Sequence, residues 1–369
     1  MKIVFDYQIF ASQPYGGISR YFYETAKRLA VMGGCGVEIF APWHINEYLT
    51  PSPGLILRGR KITRPPYTAN ILRSVNSALT RIAVKPRKDI DIFHETYFTV
   101  RDNCPRSAKR VITVYDMIHE KFSQYFSKTD PYQRRKVRAV CRADHVICIS
   151  ENTRRDLVNL LGVPRDKTSV VYLACSFPSP TGQVNRREGD KPFILYVGNR
   201  DGHKNFEGLL RAFASSKLLK GELSIICFGG GPVAFREKKL MASLGLSLDQ
   251  VMFTTGHDSA LAEYYASAAI FVYPSFYEGF GIPVLEAMSC GCPVVCANAG
   301  SIPEVAGEAA ELFAPENISQ LRAAMEKVVF SPGYANELMV KGYDRIKLFS
   351  WEKCAADTLR VYEKVLRTK

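Results

Sequence analysis

Residues 273–296 read YPSFYEGFGIPVLEAMSCGCPVVC and place two glutamates eight positions apart. The apolar residues 270–273 predict a buried strand just before them. Pro283 suits the first turn of a helix, because a helix needs no N–H donor there. Glu278 therefore lies in the turn before the predicted helix, and Glu286 lies inside the helix.

The turn between this strand and this helix has the features of an anion-binding site. Gly279 and Gly281 let a ligand approach the backbone closely. Backbone N–H groups at a helix N-terminus favour negative charge, so we expect a phosphate on the amides near Gly281, Ile282 and Val284. Two carboxylates that accept hydrogen bonds from hydroxyls complete a predicted site for a sugar attached to phosphate. An ordinary strand-to-helix turn with two solvated carboxylates is the alternative.

A second charged loop follows the predicted strand at residues 193–197. It holds Arg200 and Lys204 and precedes a helix predicted from about residue 207 to residue 214. Cations at the end of a strand can neutralise a diphosphate, arginine with a fork of donors and lysine as a point charge. A solvated surface loop would contain the same residue types.

Short apolar strands alternate with amphipathic stretches along the chain, which indicates parallel sheets covered by helices on both faces. A chain of 369 residues also exceeds what one core usually holds. Residues 176–192, rich in proline, glycine and polar residues, are the candidate linker. We therefore predict an α/β protein with two doubly wound Rossmann-like domains that face a cleft, residues 1–180 and 181–350, and a last helix over residues 351–369. The predicted strands are residues 2–5, 37–41, 90–94, 110–115, 145–149, 169–172, 193–197, 222–228, 251–254, 270–273 and 293–297.

These motifs together resemble the signature of family 4 of the retaining glycosyltransferases, whose donors are nucleotide sugars. The resemblance covers essentially the whole chain and is strongest over residues 193–295. It implies the two-domain fold called GT-B, with the last helix crossing back onto the first domain. The segments FDYQIF, YGGISRY and YVGNR resemble the mannosyltransferase-like branch that acts in bacterial surface polysaccharide or lipopolysaccharide biosynthesis.

The resemblance also implies roles for single residues. Glu278 would orient the transferred sugar and Glu286 would hold the ribose hydroxyls. Lys204 and Arg200 would stabilise the departing diphosphate. The arginine that the family usually carries directly after the glycine is Asn199 here, so Lys204 matches the family pattern better than Arg200. The implied donor-binding positions are Gly16, Gly17, Gly198, Gly230, Gly256, His257, Gly279, Phe280, Gly281, Ile282, Pro283, Val284 and Glu286.

A strand of the first domain ends just before Asp116. Related enzymes offer a histidine or an aspartate to the sugar from this position, many as His-Asp, where this chain has Tyr115 and Asp116 with His119 three residues on. Asp116 and His119 are therefore candidates for sugar or acceptor contacts, and a core or capping role is the alternative. His94, Glu95 and Thr96, after another predicted strand, form a second candidate group that would line the cleft.

The resemblance implies a hexosyltransferase that moves mannose from GDP-mannose to an anionic lipid-linked or lipopolysaccharide glycan acceptor. No motif reads the base or the sugar epimer, so UDP-glucose, UDP-galactose and dTDP sugars are alternative donors. A nucleotide-sugar epimerase or phosphorylase of the same fold and a non-catalytic module that binds sugar nucleotides are the alternative functions. In this family, retention is usually explained by front-face attack, in which the departing diphosphate helps to deprotonate the incoming hydroxyl.

Asp89 and Asp91 have the spacing of a metal-binding D-x-D motif. They precede their predicted strand, which puts both carboxylates at the wrong end of a parallel sheet for a ligand site. The ten cysteines show no zinc spacing and suit a reducing compartment. We expect no metal and no cofactor beyond the nucleotide-sugar co-substrate, in a cytoplasmic protein without a signal peptide or a membrane span.

The net charge of +13 lies in the first half: residues 1–180 hold 28 Lys or Arg and 15 Asp or Glu, and residues 181–369 hold 21 of each. No nucleic-acid-binding module accompanies this charge, so we expect no nucleic acid partner. Residues 71–85 place six apolar side chains on one helical face, with three basic residues at its margins. The pattern fits either a core-facing helix or an interfacial helix in peripheral contact with the cytoplasmic membrane.

Overall fold

A computed structural model describes residues 1–127, 130–177, 191–200 and 202–367. Within it the chain forms two compact units. Unit 1 comprises Met1–Leu173 and Ser350–Lys369, and unit 2 comprises Ala174–Phe349. The predicted domain boundary at residue 180 and most of the predicted linker lie outside the described residues.

Strands and helices alternate through both units. The strands are β1 (Lys2–Phe5), β2 (Gly36–His44), β3 (Leu55–Lys61), β4 (Ile92–Glu95), β5 (Lys109–Val114), β6 (His145–Cys148), β7 (Thr168–Val170), β8 (Phe193–Val197), β9 (Ser224–Phe228), β10 (Val251–Thr254), β11 (Ile270–Tyr273), β12 (Val294–Ala297) and β13 (Glu311–Phe313). The helices are α1 (Gln8–Ser12), α2 (Gly17–Val31), α3 (Ala69–Ala83), α4 (Ile118–Lys121), α5 (Tyr132–Arg142), α6 (Glu151–Leu161), α7 (Phe206–Ser215), α8 (Lys217–Glu222), α9 (Phe235–Ser243), α10 (Asp258–Ser267), α11 (Ile282–Ser289), α12 (Ile302–Ala306), α13 (Ile318–Val329), α14 (Pro332–Ile346) and α15 (Trp351–Arg367). Single 3₁₀ turns cover Ser123–Tyr125, Arg165–Lys167 and Gly202–Lys204.

Unit 1 is built on a parallel sheet with the strand order β3-β2-β1-β4-β5-β6-β7. Phe5 of β1, for example, lies beside Ile39 of β2 on one side and His94 of β4 on the other. The chain order runs outward in opposite directions from β1 and β4, so the switch point of this sheet lies between them. Almost all side chains of the central strands are buried, as expected for a sheet covered on both faces.

Unit 2 is built on a second parallel sheet, in the order β10-β9-β8-β11-β12-β13. Its switch point lies between β8 and β11, because the chain order again runs outward from this pair. The strands predicted at residues 193–197, 251–254 and 270–273 agree residue for residue with β8, β10 and β11. Their continuous apolar runs are typical of central parallel strands.

The last helix, α15, belongs to unit 1 and packs against α2. Arg28 of α2 donates to Glu352 at 2.7 Å. Tyr362 Oη lies 2.6 Å from Nδ1 of His94 at the end of β4, and both side chains are fully buried. These contacts and the two parallel sheets confirm the predicted α/β fold class, in which the last helix returns to the first unit.

The sequence pattern does not predict β3 and β13, and both are edge strands of their sheets. β3 carries Arg58, Arg60 and Lys61 and is mostly exposed, so it lacks the apolar run of a buried strand. β13 has three residues, too few for a periodic pattern. An edge strand needs less apolar surface than a central one, so composition identifies it less well.

Helix α3 buries a polar face. The buried residues of the helix are Leu72, Asn76, Ser77 and Thr80. The Asn76 side chain accepts a hydrogen bond from the Trp43 N–H and donates one to the Trp43 carbonyl, each at 2.9 Å. This contact lies where the register between β2 and β3 shifts. Asn76 thus satisfies backbone groups of β2 beside an irregular part of the sheet, which explains why the polar face points inward.

The apolar face of α3 is exposed instead. Ile71 and Ile82 expose 63% and 74% of their surface, and Ala78 and Leu79 are also exposed. Leu72 of the predicted apolar face is buried and Val75 is half-buried, so the core-facing interpretation holds for one edge of this face and fails for the rest. None of the described helices is long and apolar enough to cross a bilayer.

Candidate active site

The carboxyl ends of neighbouring strands in unit 2 carry predicted donor-binding residues. These strands stand in the order β10, β9, β8, β11. Gly256 follows β10, Gly230 follows β9, Gly198 follows β8 and Glu278 follows β11. Lys204, also after β8, and Glu278 therefore flank the switch point of the sheet. Open parallel sheets bind their ligands at this place.

Lys204 and Glu278 form an ion pair across the switch point. Lys204 Nζ donates to Glu278 Oε1 at 2.7 Å. Glu278 is only 7% exposed, and the Lys204 ammonium lies 5.8 Å from the centre of the Tyr273 ring. Because the pair is shielded from water, each charge fixes the position of the other. Glu278 is therefore not the solvated carboxylate of an ordinary turn.

The Glu278 carboxyl is ionised in the folded protein at neutral pH. Burial raises its pKa, but the charge of Lys204 and the hydrogen bond from Lys204 lower the pKa by more, so it lies below its ordinary value. Burial and the negative charges of Glu278 and Glu286 raise the pKa of the Tyr273 hydroxyl. Tyr273 is thus within electrostatic reach of both glutamates.

Asn205, which the sequence analysis does not single out, holds the Lys204 loop in place. It adopts a left-handed backbone conformation with φ of 52°, which asparagine tolerates better than most residues. Its side-chain amide donates to the carbonyls of Pro274 and Pro315 at 3.1 and 2.9 Å. Asn205 therefore ties the Lys204 loop to the start of the Glu278 loop. An asparagine beside Lys204 is the signal in the sequence, but its partners are distant along the chain.

Ser301 fixes the other side of the Glu278 loop and is likewise missed by the sequence analysis. Its Oγ lies 2.9 Å from the Glu278 carbonyl and 2.8 Å from the Phe280 carbonyl. Gly300, at φ of 59°, packs so closely that a Cβ there would lie 2.9 Å from the Glu278 nitrogen. This Gly-Ser pair shapes the loop that presents Glu278.

Glu286 lies on α11 and is held by a buried tyrosine. Tyr265 Oη donates to Glu286 Oε2 at 3.2 Å, and Tyr265 is fully buried. Glu286 itself is half-buried. Burial and the negative charge of Glu286 raise the pKa of the Cys175 thiol to about 12. The thiol is therefore neutral at physiological pH.

Helix α11 begins at Ile282, and Pro283 lies in its first turn as predicted. Gly281 precedes the helix with φ of 108°, a conformation that favours glycine. The Val284 N–H donates to the Gly281 carbonyl at 3.0 Å. This amide already has a partner within the first turn, and its role in holding an anion stays a prediction. The amides of Gly281 and Ile282 keep that role as a prediction.

Gly279 and Phe280 are both buried in the turn. The Phe280 ring packs edge-on against Phe349, with the ring centres 5.8 Å apart. The ring anchors the turn in the core of unit 2. Any contact between Phe280 and the nucleotide-sugar donor would therefore come from the Phe280 backbone.

The structure gives Arg200 partners other than a diphosphate. Its Nε donates to Glu237 at 2.6 Å, and its side chain is only 4% exposed. The two terminal nitrogens donate to the carbonyls of Gly229, Gly230, Gly231 and Pro232. Arg200 therefore shapes the glycine loop after β9. Arg200 thus has a positioning role in this loop, and its predicted contact with the departing diphosphate stays a prediction.

The glycine loops after β8 and β9 lie against each other. Gly198 and Gly230 have φ of 121° and 72°. A Cβ on Gly230 would lie 2.6 Å from Arg200 Nη1 and 2.9 Å from the Gly198 carbonyl. Packing within the protein thus requires glycine at residue 230, whether or not a nucleotide binds there.

Gly256 and His257 follow β10, which of these four strands lies farthest from β11. His257 directly precedes α10, and both residues are exposed. A Cβ on Gly256 would lie 3.2 Å from the Ala260 side chain and 3.3 Å from the Phe228 ring. Their contact with the nucleotide base stays a prediction.

Two family models match this chain over most of its length. The model described as Glycosyltransferase Family 4 matches residues 15–175, and the model described as Glycosyl transferases group 1 matches residues 181–345. The chain is a family 4 glycosyltransferase. The resemblance seen in the sequence motifs is thereby confirmed.

This glycosyltransferase is also similar to curated mannosyltransferases. It is 27% identical over 400 residues to the O-antigen chain mannosyltransferase B of Escherichia coli, a match that covers 98% of this chain and 100% of that protein. It is 33% identical over 233 residues to the MMP alpha-(1->4)-mannosyltransferase of Mycolicibacterium hassiacum, covering 60% and 54% of the two chains. The sucrose-phosphate synthase (tll1590) from Thermosynechococcus elongatus has the same fold, with a TM-score of 0.77 at 20% identity over 100% of both chains.

In unit 1 of the glycosyltransferase, Gly16 and Gly17 stand at the start of α2, as predicted. The Gly16 carbonyl accepts the Arg20 N–H at 3.0 Å. A Cβ on Gly16 would lie 2.4 Å from Gln13 Oε1. These are the contacts of a helix entry, and the predicted contact of the two glycines with the donor stays a prediction.

Asp116 and His119 follow β5, as predicted, and make local contacts. Asp116 Oδ1 accepts the Ile118 N–H at 3.0 Å. The His119 ring is stacked between Phe126 and Tyr132, with ring centres 3.8 and 3.9 Å away. Burial lowers the pKa of His119. Both faces of the imidazole are covered, so Asp116, which is half-buried, is the better placed of the two for a substrate hydroxyl.

His94 is a core residue, so its interpretation as a substrate contact is wrong. Its Nδ1 lies 2.6 Å from Tyr362 Oη and its Nε2 lies 3.0 Å from Thr113 Oγ1. Burial lowers the pKa of His94 to about 3, so the imidazole is neutral. The adjacent Glu95 is equally buried and binds Arg142 Nη2 through both oxygens, at 2.9 and 2.8 Å.

Asp89 and Asp91 stand at the amino end of the unit 1 sheet. Asp91 Oδ2 accepts the Lys2 N–H at 2.6 Å. Asp89 pairs with Lys2 Nζ at 2.9 Å and with Arg87 at 3.0 Å. The two carboxylates thus stabilise the amino end of the sheet, opposite to the carboxyl ends of its strands. Within the described ranges, no three His, Cys, Asp or Glu side chains are grouped so that they could hold a metal ion.

Proposed function

We propose that this glycosyltransferase transfers mannose from GDP-mannose to an anionic lipid-linked or lipopolysaccharide glycan acceptor, with retention of configuration and without a metal ion. The Lys204–Glu278 pair at the switch point of unit 2 carries this proposal. A buried carboxylate beside a cation can bind a sugar hydroxyl and a diphosphate side by side. The names of the two mannosyltransferases similar to this chain support mannose as the sugar.

Glu278 orients the transferred sugar. Its low pKa keeps the carboxylate ionised, so it accepts hydrogen bonds from sugar hydroxyls and donates none. The ion pair with Lys204 and the clamp by Ser301 fix its position before the donor arrives. A carboxylate that is already in place loses little freedom when the sugar binds.

Lys204 stabilises the departing diphosphate. Negative charge grows on the phosphate oxygen as its bond to the anomeric carbon breaks. A cation that is fixed next to this oxygen lowers the barrier more than a mobile one would. The amides of Gly281 and Ile282 at the start of α11 add further positive potential on the same side. Neither group requires a metal ion.

The acceptor hydroxyl attacks the anomeric carbon from the face that the diphosphate leaves. The bond from carbon to the acceptor oxygen forms while the bond to the phosphate oxygen breaks. The hydroxyl proton passes to the departing phosphate oxygen, so no enzyme nucleophile is needed. Glu286, held by Tyr265 at 3.2 Å, binds the ribose hydroxyls during this step.

An arginine cluster in unit 1 supports an anionic acceptor. Burial and the charges of Arg135, Arg101 and Arg64 lower the pKa of Arg73, and no carboxylate is among the groups that act on it most strongly. Arg101 also donates to the Arg73 carbonyl at 3.3 Å. Arginines without carboxylate partners favour phosphate, which they bind with paired donors. We assign the cluster to phosphates of the acceptor and Asp116 to an acceptor hydroxyl.

Calorimetry with GDP-mannose, UDP-glucose and dTDP-glucose tests the donor. We expect GDP-mannose to bind at least about tenfold more tightly than the others, because the donor base and sugar both contribute contacts. If UDP-glucose bound more tightly than GDP-mannose, UDP-glucose would become the proposed donor.

Product analysis tests the reaction. Incubation with GDP-mannose and a panel of lipid-diphosphate-linked oligosaccharides should release GDP and form an α-linked mannoside, read by mass spectrometry and NMR. An epimerised nucleotide sugar without acceptor would indicate an epimerase, and a sugar phosphate formed with inorganic phosphate would indicate a phosphorylase. Binding without any product would indicate a non-catalytic module. Because the proposed acceptor is lipid-linked, the enzyme would act as a peripheral protein at the inner face of the cytoplasmic membrane.

A further inference from the structure

A cavity of about 510 Å³ lies at the amino end of the unit 1 sheet. It is lined by the segment that leads into β5, by the C-terminus of α5 and by the second residue after α3. A volume of this size is typical of small-molecule sites. Five of the lining side chains are positively charged, and we call them the basic pocket: Lys85, Arg106, Lys109, Arg110 and Arg142.

Carboxylates do not balance the charge of the basic pocket. Asp102 and Asp144 also line the cavity. The buried Glu95 lies against Arg142, whose Nη2 donates to both Glu95 oxygens at 2.9 and 2.8 Å. With these three carboxylates ionised, the five cations still leave two positive charges over. A concave surface with a surplus of one charge concentrates counter-ions, so the cavity attracts anions.

Arg142 has donors that the protein does not use. A guanidinium has five N–H donors. Within the part of the chain that the structure describes, Nη2 is the only side-chain nitrogen of Arg142 with a hydrogen-bond partner, and its Nε is buried without one. Arg110 Nε is also buried without a hydrogen-bond partner, 3.6 Å from Glu95 Oε1. Such groups are rare in folded proteins. A rotation of either guanidinium would turn these donors toward an anion in the cavity, which would supply the missing acceptors.

Charge and size together select the ligand of the basic pocket. A phosphate monoester carries about 1.5 to 2 negative charges at pH 7, close to the surplus of the pocket. A phosphate diester carries only one. The phosphate group fills only a small part of the cavity, so an organic part about the size of a hexose fits beside it.

We propose that the basic pocket binds a soluble phosphate monoester about the size of a hexose phosphate. Arg110 and Arg142 bind the phosphate with paired donors, and Arg106 and Lys109 add positive charge beside it. The pocket lies at the amino end of β5, and Asp116 follows the carboxyl end, roughly 20 Å away along a strand of six residues. The phosphate monoester is thus a further ligand of the protein and not the acceptor sugar that we assign to Asp116.

Calorimetry with inorganic phosphate and with mannose 6-phosphate tests the site, at constant ionic strength because salt screens these charges. Both probes should bind the wild-type protein. R106Q/K109Q should weaken their binding by about tenfold, because two charges next to the anion are lost. R60Q/R134Q is the matched control, since Arg60 on β3 and Arg134 on α5 are exposed residues of unit 1 outside the lining of the cavity. This control should bind both probes like the wild type.

R142K tests whether the pocket is a built site. The lysine keeps the positive charge beside Glu95, so the fold should hold, but it lacks the planar fork of donors. Binding of both probes should therefore fall by about tenfold although the charge of the pocket is unchanged. Full affinity in both R142K and R106Q/K109Q overturns the proposal. An equal loss in R60Q/R134Q also overturns it, because the anion would then respond only to the overall charge of unit 1.

Dimethyl phosphate, a singly charged diester, separates a soluble monoester from the diester headgroup of a phospholipid. It should bind at least about tenfold more weakly than inorganic phosphate, because it lacks the second charge. Equal binding of the two probes would overturn the assignment to a monoester.

K204A separates the basic pocket from the proposed diphosphate site of unit 2, which also attracts phosphate. Inorganic phosphate should still bind K204A, and R106Q/K109Q should weaken that binding in the K204A background as it does in the wild type. If K204A alone abolished all phosphate binding, the binding would belong to the donor site and the proposal for the basic pocket would fall. Phosphate binding that persists in K204A supports the basic pocket whether or not GDP-mannose is the donor.

Discussion

The two units of this glycosyltransferase have the same kind of sheet but use its switch point differently. In unit 2 the strand ends at the switch point lead to Lys204 and Glu278, whose ion pair spans the two loops. In unit 1 the equivalent strand ends carry Asp6 and Thr96, and the Thr96 N–H and Oγ1 both donate to Asp6 Oδ1, at 2.8 and 2.6 Å. Both residues are buried.

This difference shows that the position in the fold does not by itself make a site. Hydrogen bonds between neighbouring loops close the switch point of unit 1. Unit 2 instead places a charged pair in a loop that other residues clamp from both sides. The two units should therefore respond differently to substitutions: unit 2 in catalysis and donor binding, and unit 1 mainly in stability and acceptor binding.

The largest effect is expected for Lys204→Ala in unit 2. Turnover should fall by about a hundredfold or more, because the lost charge acts mainly on the departing diphosphate. Release of GDP under saturating donor measures this. Lys327→Ala is the matched control, since Lys327 forms an ion pair of 2.9 Å with Glu311 on the surface of the same unit. A fall of less than about threefold in folded Lys204→Ala would make Lys204 a structural residue.

Glu286→Ala should weaken donor binding by roughly ten- to a hundredfold. Hydrogen bonds to a charged group contribute about 1.5 to 3 kcal/mol each, and the ribose loses this acceptor. Calorimetry with GDP, which lacks the sugar, isolates the ribose contact. Glu337→Ala, on the exposed face of α14, serves as the control. Unchanged affinity for GDP would refute the assignment of Glu286.

His94 should make unit 1 sensitive to acid. Its pKa is about 3 in the folded protein and about 6.5 in an unfolded chain. Between these values the unfolded state binds more protons, so stability is full above pH 6.5 and falls as the pH drops, by about 2 kcal/mol at pH 5. Trp43 and Trp351, the two tryptophans of the chain, both lie in unit 1, so their fluorescence follows its unfolding.

The His94→Asn variant should show a smaller loss of unfolding free energy between pH 7 and pH 5 than the wild type. His257→Asn, at an exposed site in unit 2, should leave that loss unchanged. If both variants kept the wild-type pH dependence, burial of a neutral His94 would not be its cause.

Asp116→Asn tests whether unit 1 takes part in acceptor binding. An asparagine can still accept the Ile118 N–H, so the local turn should stay intact. If Asp116 binds an acceptor hydroxyl, KM for the acceptor should rise by about three- to tenfold with donor affinity unchanged. Steady-state kinetics at saturating donor measures KM, and Asp144→Asn provides the control, because Asp144 accepts the Arg110 N–H at the amino end of the same sheet. An unchanged KM would leave Asp116 with structural contacts only, to the Ile118 N–H and to the Lys136 ammonium at 3.9 Å.

The smallest effect is expected for a chelator. Turnover should stay within roughly twofold, because Lys204 and the amides at the start of α11 supply the positive charge. The assay is GDP release before and after treatment with EDTA. A loss that magnesium or manganese restores would contradict the metal-independent mechanism.

The sequence predicts unit 2 well because its signals are local. Glu278, Pro283 and Lys204 stand in short motifs, and the strands beside them are continuous apolar runs. Asn205 and Ser301 escape the sequence analysis because their contacts join segments far apart in the chain. The partners of Arg200 escape it for the same reason, since the carbonyls that Arg200 binds lie about thirty residues later.

Unit 1 shows a second limit of sequence analysis. The pattern of α3 identifies an apolar face and a polar face correctly, yet it does not reveal which one the protein buries. Asn76 decides the orientation through a contact with the backbone of Trp43, and periodicity contains no information about that contact. The prediction for His94 fails for a similar reason. Its place after a strand suggests a substrate contact, whereas Tyr362, at the other end of the chain, makes it a core residue.

The return of α15 to unit 1 has a consequence for synthesis on the ribosome. The sheet of unit 1 is translated first, but its buried His94 lacks one of its two partners until Tyr362 has been made. All of unit 2 is translated in between, as an insertion between Leu173 and Ser350. The nascent chain can therefore complete unit 2 while unit 1 still lacks its last helix. A truncation near the C-terminus therefore removes residues from unit 1, the unit whose synthesis begins first.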